Sequence, residues 1–572
     1  MDEERDEKQS NGSFERREFL GYFAGSALAS TLFPGVLWAK AAAGAEIDDS
    51  AIIAAAQIAG VTIAEDDRRQ MLEGLKGQTQ RLTALRLIPL ANAVPPALLF
   101  NPLPKGTAPT EAQRPIRPSV TTAGTRPADL ESLAFATVTE LGALLRARKV
   151  TSVELTQMYI ARLKRLDPKL KCTITITEER ALAQARAADA ELAAGKVRGP
   201  LHGIPWGAKD LLAVTGYPTT WGSAPYKNQL FEENATVVDR LDRAGAVLIA
   251  KLTLGELAQG DIWFGGMTRN PWKLDQGSSG SSAGPGSATA AGCVGFAIGT
   301  ETLGSISSPS TRNGVTGLRP TYGRVPRTGA MALSWSMDKI GPMCRSVEDC
   351  ALVFDAIRGR DGHDLTVHDA AFNWDAARPL SSIRIGYLKS VFDLPEGRGY
   401  TTKSFDSAAL AVFARLGVKL TSVELPILNY DAMRIILTAE AGAAFDELTR
   451  SGRVREMAQQ GNGAWPNTFR TSRFIPAVDY INANRVRSLA IQAWARLFET
   501  IDVIVAPTSP GSQLVATNLT GHPAVILPHG FRDDGTPVSL TFLGALYGEA
   551  PLLRVAKAYQ DATEFHRKHP TL

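Results

Sequence analysis

The chain has 572 residues, 44% hydrophobic and 21% charged, with a net charge of +4. That is a globular composition with room for one large domain plus extensions, and it gives no reason to expect nucleic acid or an acidic polymer as partner. Four cysteines without C-x-x-C spacing and seven histidines without an H-E-x-x-H pattern leave no visible ligand set, so neither metal nor cofactor is expected.

The N-terminus carries Arg16-Arg17-Glu18-Phe19-Leu20, an apolar run from Leu20 to Trp38 and a small-residue tract from Ala39 to Ala45. A polar start, a modest apolar core and an A-x-A-like end are the parts of an export signal, and the arginine pair before Phe-Leu resembles the twin-arginine kind. Residues 1–45 are therefore expected to direct the protein to a periplasmic or extracytoplasmic location. Gly, Ser, Thr and Pro within the apolar run make it a poor permanent span, so no stable membrane insertion is expected after processing. Residues 46–85 have apolar positions at helical spacing and read as a helical segment. Residues 86–129 are proline-rich and read as a linker or extended arm.

From about Leu130 amphipathic helices begin. Thr137 with Glu140, and Thr151 with Glu154, have the T-x-x-E spacing of a capping box, each marking a helix start. Further on, "AVLIAKL" and "DVIVAPT" are short β-branched runs of the kind that form buried strands. Helices alternating with such strands, without an internal repeat, predict one α/β domain over 130–568 with a mixed β-sheet covered by helices on both faces. Cys344 and Cys350 are too far apart for a disulfide if the stretch between them is helical.

Within this domain, residues 275–287, "DQGSSGSSAGPGS", hold five serines and four glycines. The stretch reads either as a flexible linker or as a loop where small residues admit a close backbone approach. It leads into "ATAAGCVGFAIG", suited to a buried helix, and then into a second Gly/Ser loop, "TETLGSISSPS". Upstream, Lys209 lies in the apolar "GIPWGAKD". It is either a structural lysine paired with a carboxylate such as the adjacent Asp210, or a desolvated lysine that can be neutral and act as a base. A serine hydroxyl needs such a base to become a nucleophile, and lysine can supply it without histidine.

These segments together resemble the amidase signature hydrolases over roughly residues 130–568. "GPLHGIPWGAKD", "NPWKLDQGSSGSSAGPGSATAAG", "AIGTETLGSISSP", "NGVTGLRPTYGRVPRTG", "DKIGPMCRSVEDCAL" and "NLTGHPAVILPHG" follow in that family's order. The resemblance implies that Ser305 is the nucleophile, Ser281 a bridging serine with a cis peptide, and Lys209 the base. Its spacing of 11 residues from Asn270 and 24 back from Ser305 selects Ser281 rather than Ser278 or Ser279. It also implies an oxyanion hole from the backbone N–H groups of Thr302, Leu303 and Gly304 with Ser305, and hydrolysis of a small-molecule amide through an acyl-enzyme.

Two departures stand out. Leu303 replaces a usual glycine and would restrict that loop, and Ser307 replaces a usual arginine near the nucleophile. Trp221, following Thr220, and the run Asp261-Ile262-Trp263-Phe264 place aromatics near the motifs. Core packing is the plainer reading of each, but with Trp206 they lean toward a hydrophobic or aryl substrate. Three rivals remain: an esterase or other serine hydrolase with a Ser-His-Asp triad built on His202, the amide-hydrolysing subunit of a tRNA-dependent transamidation complex, and a non-catalytic exported binding protein. No G-x-S-x-G elbow accompanies His202, and an export signal sits poorly with a tRNA partner.

Overall fold

The computed structural model describes residues 47–88, 100–104, 107–397 and 399–572. The export-type signal over 1–45 and part of the proline-rich stretch lie outside them.

The centre of the protein is an eleven-stranded mixed sheet. Its strands in chain order are β1 (Thr173–Ile176), β2 (Pro205–Lys209), β3 (Val247–Leu252), β4 (Phe296–Glu301), β5 (Thr316–Arg319) and β6 (Lys339–Cys344), then β7 (Ile385–Leu388), β8 (Thr421–Val423), β9 (Val503–Pro507), β10 (Ala524–Phe531) and β11 (Pro537–Gly544). In space they run β1-β3-β2-β4-β6-β5-β10-β11-β9-β7-β8. Two runs are parallel, β3-β2-β4 and β9-β7-β8, and the remaining pairings are antiparallel. Every residue of β2, β3 and β4 is buried, as expected of strands with helices on both faces.

Both expected capping boxes form. The Thr137 hydroxyl accepts the Glu140 N–H at the start of the helix Val138–Arg146, and Thr151 does the same for Glu154 at the start of Ser152–Leu170. In each, the glutamate carboxylate reaches back to the threonine N–H, so two otherwise unpaired donors are satisfied by local bonds worth about 1 kcal/mol each.

The structure departs from the sequence reading in three places. The single helical segment over 46–85 is two helices, Asp49–Ile58 and Glu65–Arg86, separated where Gly60 takes φ +64°. These are no free-standing arm. Leu82 and Leu85 enter the apolar cluster that holds Ile436 and Trp494, while Met71 and Leu75 pack with Phe474. The segment "ATAAGCVGFAIG" is not one helix either. The helix Ala283–Ala290 ends at a turn where Gly292 has φ +66°, and the rest becomes β4, because β-branched and aromatic side chains there fill a central sheet position. Cys344 ends β6 and Cys350 lies in the next helix, Val347–Ile357, so the stretch between them is not helical throughout; both are buried free thiols.

The described part of the proline-rich stretch runs extended over the surface. Arg117 pairs by a parallel bridge with Asp375, and the Gln113 carboxamide bonds the backbone of Phe372 in both directions.

Candidate functional site

Parallel strands β2 and β4 lie side by side, so their carboxyl ends open onto the same edge of the sheet, where open α/β sheets form binding crevices. Lys209 is the last residue of β2 and Glu301 the last of β4. The Gly/Ser stretch crosses above them. It is no linker: Gly280 is pressed so close to the backbone of Gly260 that an added Cβ would lie 1.8 Å from the Gly260 carbonyl oxygen. The Gly280–Ser281 peptide is cis.

Lys209 is fully buried, and its Nζ lies 2.8 Å from Ser281 Oγ, 2.8 Å from Thr300 Oγ1, 3.1 Å from Ser282 Oγ and 3.4 Å from the Thr300 carbonyl. Burial pulls its pKa from 10.5 to about 7, against the opposing pull of the more distant Asp338 and Glu301. An amine so placed is substantially neutral at neutral pH. Its two N–H groups have Thr300 and Ser282 as acceptors, and its lone pair is left for the Ser281 hydroxyl. Ser282 is fixed in turn, accepting the Thr300 N–H and donating to the Thr300 carbonyl, each at 3.1 Å.

Asp210 does not pair with Lys209. Its carboxylate lies 2.6 Å from Nζ of Lys251, on the neighbouring strand β3, and accepts the Thr220 N–H at 2.7 Å and the Thr220 hydroxyl at 2.5 Å.

Of the competing serines, only Ser281 meets Lys209. Ser278 Oγ donates to the Ser279 carbonyl. Ser279 sits at φ +59°, a conformation that favours glycine, with its N–H donated to Asp261. Ser305 lies in the turn after β4, and its carbonyl accepts the Ser282 N–H at 3.1 Å. The two loops are thus stitched together by backbone, while the Ser281 and Ser305 hydroxyls are not hydrogen-bonded to each other in this state.

The turn 302–305 presents the N–H groups of Leu303, Gly304 and Ser305, none of which donates to an acceptor among the described residues. Gly304 needs its glycine, at φ +95°. Leu303 does not take a positive φ, so its side chain is accommodated without strain, packing beside the apolar cluster of Ile436 and Ala516 and facing the cleft.

The sequence reading missed what holds the turn. One carboxylate oxygen of buried Glu301 accepts the N–H groups of Ile306 and Ser307 and the Ser307 hydroxyl, at 2.8–2.9 Å; the other accepts from Arg319 and Asn518 at 2.8 Å. Burial works against its charge, but Arg319, Lys339 and these bonds prevail and hold its pKa at about 2. Asp338 braces the other side through the Thr302 hydroxyl at 2.6 Å. An acidic residue two positions past an apolar run was the only signal in the sequence.

Ser305, Leu303 and Gly280 line a cleft of about 610 Å³. Its far wall comes from residues 434–471, where no motif was recognised, and from the helix Glu65–Arg86. A smaller, more apolar cavity of about 280 Å³ adjoins it, sharing Thr302 and Leu333 and holding Met331 and Trp335.

The aromatics that suggested an aryl substrate are elsewhere. Trp206 is fully buried and stacks on Phe296, Trp221 packs with Tyr226 and Phe231, and Trp263 contacts Phe264; none of them lines the cleft. His202 bonds no serine: Nδ1 accepts the Arg198 N–H and Nε2 faces Glu191. Among the described residues no His/Cys/Asp/Glu cluster has the makings of a metal site.

The family profile described as Amidase matches residues 154–514. The chain is 36% identical to a glutamyl-tRNA(Gln) amidotransferase subunit of Methylococcus capsulatus over 480 residues, 76% of this chain and 98% of that protein. The native peptide amidase of Stenotrophomonas maltophilia superposes with a TM-score of 0.68 at 31% identity, covering 77% of this chain and 99% of that one. A bacterial aryl acylamidase of the amidase signature family superposes at 0.66 with 21% identity, a likeness of fold.

Proposed function

The chain belongs to the amidase signature family of amide-hydrolysing enzymes, and from that premise we propose that it cleaves a carboxylic amide through Lys209, Ser281 and Ser305. The observation that carries this reading is a fully buried lysine with only hydroxyls and a carbonyl around its Nζ, one of them Ser281 at 2.8 Å.

Neutral Lys209 takes the Ser281 proton as Ser281 takes that of Ser305. Ser305 Oγ bonds to the amide carbonyl carbon, and the oxygen turns toward the N–H groups of the 302–305 turn. One such donor is typically worth about 10²–10³ in kcat. The C–N bond breaks as the relay returns the proton to the departing nitrogen, leaving an acyl-enzyme on Ser305. Water then attacks it, the relay taking its proton, and the acid is released.

A serine-directed fluorophosphonate probe together with a panel of amides and esters tests the reading. Ser305 should be labelled in the wild type and weakly in Ser281→Ala, with amides turned over. Labelling that survives Ser281→Ala undiminished removes the relay. Turnover of glutamine only in the presence of added partner subunits would instead favour the amidotransferase role for which the 36% identical relative is named.

Export through the twin-arginine route is proposed from Arg16-Arg17-Glu18-Phe19-Leu20. Changing both arginines to lysine should retain the protein in the cytoplasm on cell fractionation. A wild type already confined there, unmoved by the change, ends the idea.

A further inference from the structure

The helix Glu65–Arg86 lies upstream of the family match, which begins at residue 154, yet it walls the cleft that holds Ser305. Glu73, Gly74, Gly77, Gln78 and Arg81 recur at steps of one, three and four residues and present one face of this helix to the cleft. The helix is firmly seated. Asp67 pairs with Arg455 at 2.9 Å and Arg470 at 3.2 Å. Gly74 lets it press against the helix Trp465–Ser472, since an added Cβ would stand 3.2 Å from Thr471 Cγ2.

Gly77 is different. A Cβ there would meet nothing within 4 Å. The width of the cleft at this point is set by a missing side chain, not by contact.

The space is lined by polar groups as well as by Leu303, Leu437 and Trp465. The Gln259 carboxamide is held at both ends, by the Gly463 carbonyl and the Trp465 N–H, and the Thr468 and Thr471 hydroxyls donate to the Ala464 and Thr468 carbonyls, which leaves the carboxamides of Gln78 and Asn467. Gln78 is 3% exposed and Asn467 2%, and the Gln78 Nε2 and the Asn467 Oδ1 have no hydrogen-bond partner among the described residues. A buried polar group left so is costly unless something else satisfies it. The guanidiniums at the rim, Arg81 and Arg434, both lean on Asp431, at 3.7 and 2.9 Å, so these two cations are engaged within the protein, while the exposed Glu73 carboxylate stands at the rim.

We propose that this helix is the substrate-selecting wall of the cleft, and that it selects amides carrying further hydrogen-bonding amide groups, peptide-like carboxamides, over short or purely apolar ones. The proposal rests on Ser305 being the nucleophile.

The test compares kcat/KM for an N-acetylated dipeptide amide with that for propionamide, in the full-length enzyme. The wild type should prefer the dipeptide amide. Gly77→Phe should lower the ratio about tenfold or more, mainly through KM, because it fills the space the longer substrate needs. Gln78→Leu, of similar volume, should lower it in the same direction, and it decides the matter if Gly77→Phe does not fold. Lys76→Phe, on the exposed face of the same helix, should keep the wild-type ratio. A wild type that prefers propionamide overturns the proposal, as does a wild-type ratio in a folded Gln78→Leu. Ser305 labelled by the fluorophosphonate with neither amide cleaved overturns the substrate class alone. Ser305 unlabelled with neither cleaved overturns the amidase reading, and the proposal with it.

Discussion

Two lysines, Lys209 and Lys251, sit on adjacent parallel strands, both with no exposed surface, one register step apart. Lys251 has the Asp210 carboxylate 2.6 Å away and donates to the Pro218 carbonyl and the Thr219 hydroxyl. Lys209 has three hydroxyls and a carbonyl, and no carboxylate among its hydrogen-bond partners. Burial lowers the pKa of both, but only at Lys251 does a touching carboxylate push back. Equal burial therefore gives unequal chemistry. One lysine is held against a carboxylate and braces the strands, and the other is an amine that can hold or release a proton near neutral pH.

The widest separation is expected in catalysis. Lys209→Met should lower kcat by about 10²–10⁴, the usual worth of a general base, while melting close to the wild type because no ion pair is lost. In the wild type, kcat/KM should rise about tenfold per pH unit below the Lys209 pKa of about 7 and level off above it, since the lysine must lose its proton to act. A profile flat from about pH 5 to 9 would dissolve the contrast.

Lys251→Met should do the reverse. It strands Asp210 in the interior, and breaking such a pair costs about 3–5 kcal/mol, readable in urea or thermal unfolding. Residual folded enzyme should keep a working Ser305 label. If this variant melts like the wild type, Lys251 is no brace.

The finest comparison is between serines two residues apart. Ser281→Ala should remove most turnover, whereas Ser279→Ala should change stability by about 0.5 kcal/mol or less and activity by less than about twofold, its N–H bond to Asp261 being untouched by the change. The opposite ranking, read from steady-state kinetics, would put the relay on the wrong serine.

What could be read from the chain follows a physical division. The helix starts at Thr137 and Thr151 depend on side chains three residues from their partners, so the sequence alone specifies them. The buried runs of β3 and β9 follow from composition, and the ordered motifs located Lys209, Ser281 and Ser305 because their spacing is written along the chain. The partner of Asp210 was not written there. Its neighbour Lys209 was the obvious candidate, but successive strand residues point to opposite faces, and the lysine 41 positions on is brought alongside only when β3 pairs with β2. Glu301 gained its role the same way, from Arg319 and Asn518 on other elements. The break at Gly60 and the division of 283–301 into helix and strand came from packing that overrode a continuous apolar pattern. The helix Glu65–Arg86 declared an apolar face from its sequence, but that this face would seat it over Ser305 was settled by partners such as Arg455, 388 residues further along the chain. Local hydrogen bonding and periodicity are properties of the sequence; which buried charge meets which, and what closes a cleft, are properties of the sheet order and the packing laid over it.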